Sequence, residues 1–133
     1  MKKLLSVLIC VLTVAGCFKD APVDLKGKNF KTQDSETKME ITLGFDKEAP
    51  RYFGKAVNNY FGNYEQKDNK LTFSPAGATM MAAPVPLMKA ESEYFAFLAT
   101  VESFEIKGKQ LILSGKDGKK IAFDEYTPSA EEK

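Results

Sequence analysis

The chain has 133 residues, with 19 Lys and Arg against 18 Asp and Glu, two Cys and no His. That length supports one domain around one core. The near-neutral balance and the lack of a basic run argue against a nucleic-acid partner, and without His the common nucleophile–base pairs are missing.

In chain order, Met1-Lys2-Lys3 is a basic start and Leu4 to Val14 an apolar run. This run falls short of the ~20 apolar residues a membrane-spanning helix needs. Val14-Ala15-Gly16-Cys17 then sets small residues directly before a cysteine and resembles a bacterial lipobox. Residues 1–16 are therefore read as a lipoprotein signal peptide and Cys17 as the acylated first residue of the mature chain. The bland alternative is an ordinary cleaved signal peptide in which Cys17 is incidental. Two or more acyl chains, palmitate among them, anchor a protein stably at ~0.8 kcal/mol per buried methylene. Among enterobacterial lipoproteins an Asp after the cysteine favours the inner membrane. By resemblance, Phe18 at that place implies the outer membrane, facing the periplasm. Cleavage also removes Lys2, Lys3 and Cys10. The mature chain of 117 residues then carries 17 basic and 18 acidic side chains, no free thiol and no disulfide.

Residues 17–28 read as a tether, and Phe30 as part of a first strand. Gln33 to Lys38 is a polar loop. Met39, Ile41, Leu43 and Phe45 alternate with polar or small residues, the mark of a half-buried strand. After a turn at Asp46 to Pro50, Tyr52 to Val57 continues as a strand whose buried face the pattern leaves open. In the next run Tyr60, Gly62 and Tyr64 share one face, and Phe61, Asn63 and Glu65 the other. A polar turn at Gln66 to Lys70 leads to Leu71 and Phe73, completing a hairpin that Ser74-Pro75 closes.

Leu87, Ala90, Tyr94, Phe97, Leu98 and Val101 follow helical spacing and define one face of a helix ending near Val101. Pro86 suits its first turn, and Lys89, Glu91 and Glu93 fall off that face. Phe104 and Ile106, Leu111 and Leu113, and Ile121 and Phe123 mark three last strands, with Ile112 facing solvent or a partner. Asp117-Gly118 signals a two-residue type I′ hairpin, and residues 127–133 form a polar tail. The expected fold is mainly β (α+β): a small antiparallel barrel of about eight strands with one packed α-helix. Such a barrel is filled by its own side chains or holds one small ligand.

Asn58-Asn59-Tyr60-Phe61-Gly62-Asn63-Tyr64, followed by Lys70-Leu71-Thr72-Phe73 and Thr79-Met80-Met81-Ala82-Ala83-Pro84, resembles the META domain of heat-shock lipoproteins of the HslJ type. The match lies in Asn58, Tyr60, Gly62 and Tyr64, then Thr79, Met81, Ala82 and Pro84. A META-like domain is expected over residues 29–126. The resemblance implies a small barrel and a role in envelope stress or drug tolerance. It also places the family's two cysteines at Val57 and Ala83, where this chain carries apolar residues instead. If the sites meet, the barrel must do without a staple that would contribute about 3 to 4 kcal/mol.

The candidate chemistry is sparse. Glu91 with Glu93, or Asp124 with Glu125, offers carboxylate pairs, but such residues read as solvated surface charge. Neither catalytic residues nor a cofactor is expected, and the protein is read as a non-enzyme. Met80, Met81 and Met88 could suit a soft metal, yet methionine more often fills core gaps, so no metal site is expected. In Tyr52-Phe53 and Tyr60-Phe61 one ring must point outward. Phe53 and Phe61 are the first candidates for a binding surface. Asn58 and Tyr60 join them as candidate binding residues, although Asn58 reads most simply as fixing a local turn. The expected function is a lipid-anchored binding or structural module with an envelope protein partner. The alternatives are a carrier of a small apolar ligand inside the barrel and a protein-inhibitor or interaction module.

Overall fold

The structure, a computed structural model, describes residues 23–129. The expected signal peptide (residues 1–16), Cys17 and the start of the tether lie outside the described residues, as does the end of the tail. Alternating sequence becomes alternating burial. β1 (Asn29–Gln33), β2 (Glu40–Phe45), β3 (Arg51–Lys55), β4 (Asn59–Lys67) and β5 (Lys70–Phe73) precede the short β6 (Gly77–Ala78). After α1 (Val85–Leu98) come β7 (Val101–Lys107), β8 (Gln110–Gly115) and β9 (Lys120–Glu125).

Eight strands pair in the order β3-β2-β1-β9-β8-β7-β5-β4, and β3 pairs with β4 to close an antiparallel barrel. β6 adds two residues to β4, beside the β3–β4 ladder. The first and last strands meet through Phe30↔Glu125 and Lys31↔Asp124. The β5–β7 seam is short, with one bridge at Lys70↔Ser103 and a Phe104 N–H bond to the Asn69 carbonyl. A bulge between Val101 and Ser103 accompanies it.

The inward side chains fill the barrel. Phe30, Phe45, Tyr52, Tyr60, Phe73 and Phe123 are buried beside Leu43, Leu71, Leu111 and Leu113. Their rings meet edge-on or tilted, as Phe45 with Tyr64 at 5.0 Å and Tyr52 with Phe73 at 4.8 Å. Such pairs are worth about 0.5–1.5 kcal/mol beyond the area they bury. α1 lies across the mouth where β4, β7 and β9 begin, burying Ala90, Tyr94, Phe97 and Leu98.

Several local expectations change. The tether ends sooner than residue 28: Leu25 is buried, and Gly27 N–H bonds the Phe45 carbonyl. The core hairpin turns at Asp68-Asn69, with Asp68 at φ 57°, so the strands run on through Gln66, Lys67 and Lys70. The Asp117-Gly118 turn sits in a longer loop, because Gly115 N–H bonds Lys119 O and Asp117 Oδ1 takes the Lys119 N–H. The helix stops at Leu98, capped by Ala99, because Val101 is already paired with Gly115 in β7–β8.

Candidate functional site

Asn58 sits where the chain enters β4 and is buried with Glu91 from the middle of α1. Its backbone N–H donates to Glu91 Oε2 at 2.7 Å, and its Nδ2 donates to Glu91 Oε1 at 3.0 Å. Its Oδ1 accepts from Thr79 Oγ1 at 3.0 Å and from Met81 N at 2.5 Å. The Met81 N–H can only donate, which fixes the carbonyl oxygen toward Met81 and the NH₂ toward Glu91. The expectation of a local turn thus becomes a non-local knot: one amide ties β4, the β6–α1 connection and the helix together. Glu91 was expected on the solvated face and is 8% exposed. The signal was present in the spacing, since Leu87, Glu91, Tyr94 and Leu98 form an i, i+4, i+7, i+11 stripe.

Tyr60 is buried in the barrel. Its hydroxyl lies 2.5 Å from the Thr42 carbonyl and 2.6 Å from the Tyr94 hydroxyl. A carbonyl only accepts, so the Tyr60 proton goes to Thr42 and Tyr94 donates to Tyr60. Burial pushes both phenols well above the usual tyrosine range. The Tyr60 ring reaches Thr42 across Gly54, its cross-strand partner, where a Cβ would collide with the Thr42 carbonyl and the phenol. Tyr60 and Asn58 are therefore interior residues that hold the fold.

Phe53 and Phe61 point outward, directly opposite each other on β3 and β4, 42% and 57% exposed. They are the middle of a row around the barrel. Gly44 is opposite Phe53, and Gly77 opposite Phe61. Each ring covers its neighbouring glycine, where a Cβ would strike it. The row continues through Asn29, opposite Gly44, to Tyr126, whose N–H bonds the Asn29 carbonyl. No sequence signal within one strand announces this row, because its members lie about 4.8 Å apart across strands.

The methionines also depart from expectation. Met80 is 94% exposed, and Met81 and Met88 are exposed beside Val85. Met80 and Met81 face outward from the β6–α1 connection and Met88 from the first turns of α1, instead of filling the core. Among the described residues, grooves open to solvent at three places that bear on the site. One of about 970 Å³ lies along β2 between Phe53 and Tyr126, one of about 540 Å³ lies on the other side of Phe53, and one of about 840 Å³ lies by the β4–β5 hairpin. None of the three is walled by the central rings of Tyr60, Tyr94 and Phe123.

A family model described as the META domain matches residues 22–127. The chain belongs to the META domain family. This META barrel is similar to a solved structure described as the NMR structure of the protein from Burkholderia xenovorans. The TM-score is 0.64 at 22% identity, over 83% of this chain and 93% of that one. A second NMR structure matches with a TM-score of 0.55 at 17% identity, over 75% of this chain and 90% of the other. At these identities the likeness is one of fold. No curated protein matches the chain. In this META barrel, the positions that the resemblance assigned to cysteines flank the knot. Val57 precedes Asn58, and Ala83 lies two residues beyond Met81, whose N–H Asn58 holds.

Proposed function

We propose that this chain is a non-enzymatic lipoprotein of the bacterial envelope. In this reading acylated Cys17 anchors it at the outer membrane, facing the periplasm, and its META barrel serves envelope stress or drug tolerance as a binding or structural module. Anchoring is supported by the order of basic start, apolar run and Val14-Ala15-Gly16-Cys17. The observation that carries the module reading is where the tether joins the barrel. Val23 O accepts a hydrogen bond from Gln66 Nε2 at 2.7 Å, beside the β4–β5 turn. Asn58 and the exposed Met80, Met81 and Val85 stand at the other end of β4. Nine residues of strand separate the two ends by about 27 Å. The six residues from Cys17 to Pro22 reach about 20 Å at most, so a chain held at Cys17 offers its methionine end away from the bilayer. That end suits an envelope protein partner. The ring-filled interior gives the alternative of a carried apolar ligand little support.

The test is labelling of cells with a palmitate analogue, followed by crosslinking and pull-down from native envelopes. Label on the wild type but not on Cys17→Ser supports the anchor. Label on both, or on neither, overturns it. A partner lost on Met80→Asp/Val85→Asp, but kept on Lys107→Asp, supports the methionine end as the contact.

A further inference from the structure

We infer that the outer groove between Phe53 and Tyr126 binds an uncharged oligosaccharide. This goes beyond the anchored-module reading and does not depend on Cys17. The floor of the groove is the outward face of β2, where Glu40, Thr42, Gly44 and Asp46 follow one another at every second residue. Phe53 on β3 forms one wall. Tyr126, held beside Asn29 on β1, forms the other. Three strand spacings separate the two backbones, about 14 Å, and the Phe53 ring lies across Gly44, so the ring itself forms part of the floor. From Glu40 to Asp46 the floor runs about 20 Å, room for a short chain of sugar rings. The groove of about 970 Å³ is of the size that small-ligand sites occupy, roughly 300–1,000 Å³.

The chemistry of the lining selects the ligand. A pyranose has one face of C–H bonds, which stacks on an aromatic ring, and a rim of hydroxyls, which need polar partners. Phe53 offers an exposed ring fixed over Gly44 on a paired strand. Lys31 Nζ lies 5.0 Å from the Tyr126 ring centroid and 3.8 Å from Glu40, which steadies that wall. Asn29, Thr42 and Asn59 line the groove with amide and hydroxyl groups. At its far end the N–H groups of Glu48 and Ala49 hold the Asp46 carboxyl below the usual range, so it accepts hydrogen bonds as a fixed anion. The three carboxylates of the lining (Glu40, Asp46 and Glu48) stand with Lys47 and Lys55, and Lys31 pairs with Glu40 and Arg51 with Asp46, so the charges are nearly compensated and no strong net field draws an ionic ligand. A peptide adding as a strand has no place there, because β1, β2 and β3 each pair on both sides.

The test is an NMR titration of the full chain in detergent micelles with chitotetraose and, separately, cellotetraose. Saturable shifts at Gly44, Phe53 and Tyr126 are expected with either sugar, in the millimolar range or tighter. Phe53→Leu still covers Gly44 but lacks a flat ring, and should bind about tenfold more weakly. Phe53→Trp should bind at least as well as wild type, and Cys17→Ser equally well. The proposal is overturned if no saturable shift occurs up to about 20 mM sugar or if the shifts lie outside the groove. It is also overturned if Phe53→Leu binds like wild type or a sulfated glycan binds in preference to the uncharged ones.

Discussion

The Asn58 side chain gives its amide N–H to Glu91 at 3.0 Å and takes the Met81 N–H on its carbonyl, so two loops and a helix share one buried residue. Asn58→Ala leaves Thr79, Met81 and Glu91 without these partners and should cost about 2–3 kcal/mol. Asn58→Asp should cost more than Asn58→Ala, since it sets a second carboxylate against Glu91 in a buried site. Urea unfolding of the two variants checks the order, and an Asp variant at least as stable as the Ala variant would contradict it.

The paired phenols carry an asymmetric prediction. Tyr94→Phe removes a donor to Tyr60 and leaves the Tyr60 bond to Thr42 intact, at about 1 kcal/mol. Tyr60→Phe removes both bonds and should cost about 2–3 kcal/mol. Equal losses in thermal or urea melts would mean that the proton order is wrong.

Burial raises the pKa of Tyr60 and Tyr94, so the folded chain keeps two protons that the unfolded chain releases near pH 10. Above that pH the folded state binds more protons than the unfolded one. The contribution is therefore complete below about pH 10 and is lost as pH climbs toward the folded values. In a phenolate absorbance titration, two of the five tyrosines should ionise only as the protein unfolds.

Gly54 and Gly118 should respond differently to Ala. A Cβ at Gly54 would meet the Thr42 carbonyl and the Tyr60 phenol, so Gly54→Ala should cost about 3 kcal/mol or more. Gly118 has φ 88° and open space around it, so only backbone strain opposes Ala, at about 1 kcal/mol. Comparing midpoints of denaturation tests the pair.

Val57→Cys with Ala83→Cys should form a disulfide under oxidation. In the chain-entropy model a loop of this length adds about 3.5 kcal/mol. Gel mobility with and without reductant shows closure, and the melting temperature shows the gain. Failure to close would mean that the two positions do not occupy the cysteine places of the family.

The sequence by itself determined most of the strands and which of their residues face inward. Side chains alternate every residue along a strand, so Ile41, Leu43 and Phe45, or Tyr60 and Tyr64, declare a buried face without reference to any neighbour. It also set Phe61 on the face opposite Tyr60 and Tyr64, whereas which of Tyr52 and Phe53 turns inward was left to the packing. Tertiary structure decided what those faces meet. The burial of Glu91 depends on an amide 33 positions away. The exposure of Met80 depends on how the chain leaves β6, and the Phe53–Gly44–Asn29–Tyr126 row depends on the register of four strands that close into a barrel. Local periodicity is a property of the backbone and is written in each segment. Partners across strands follow from filling one shared interior, which no segment contains.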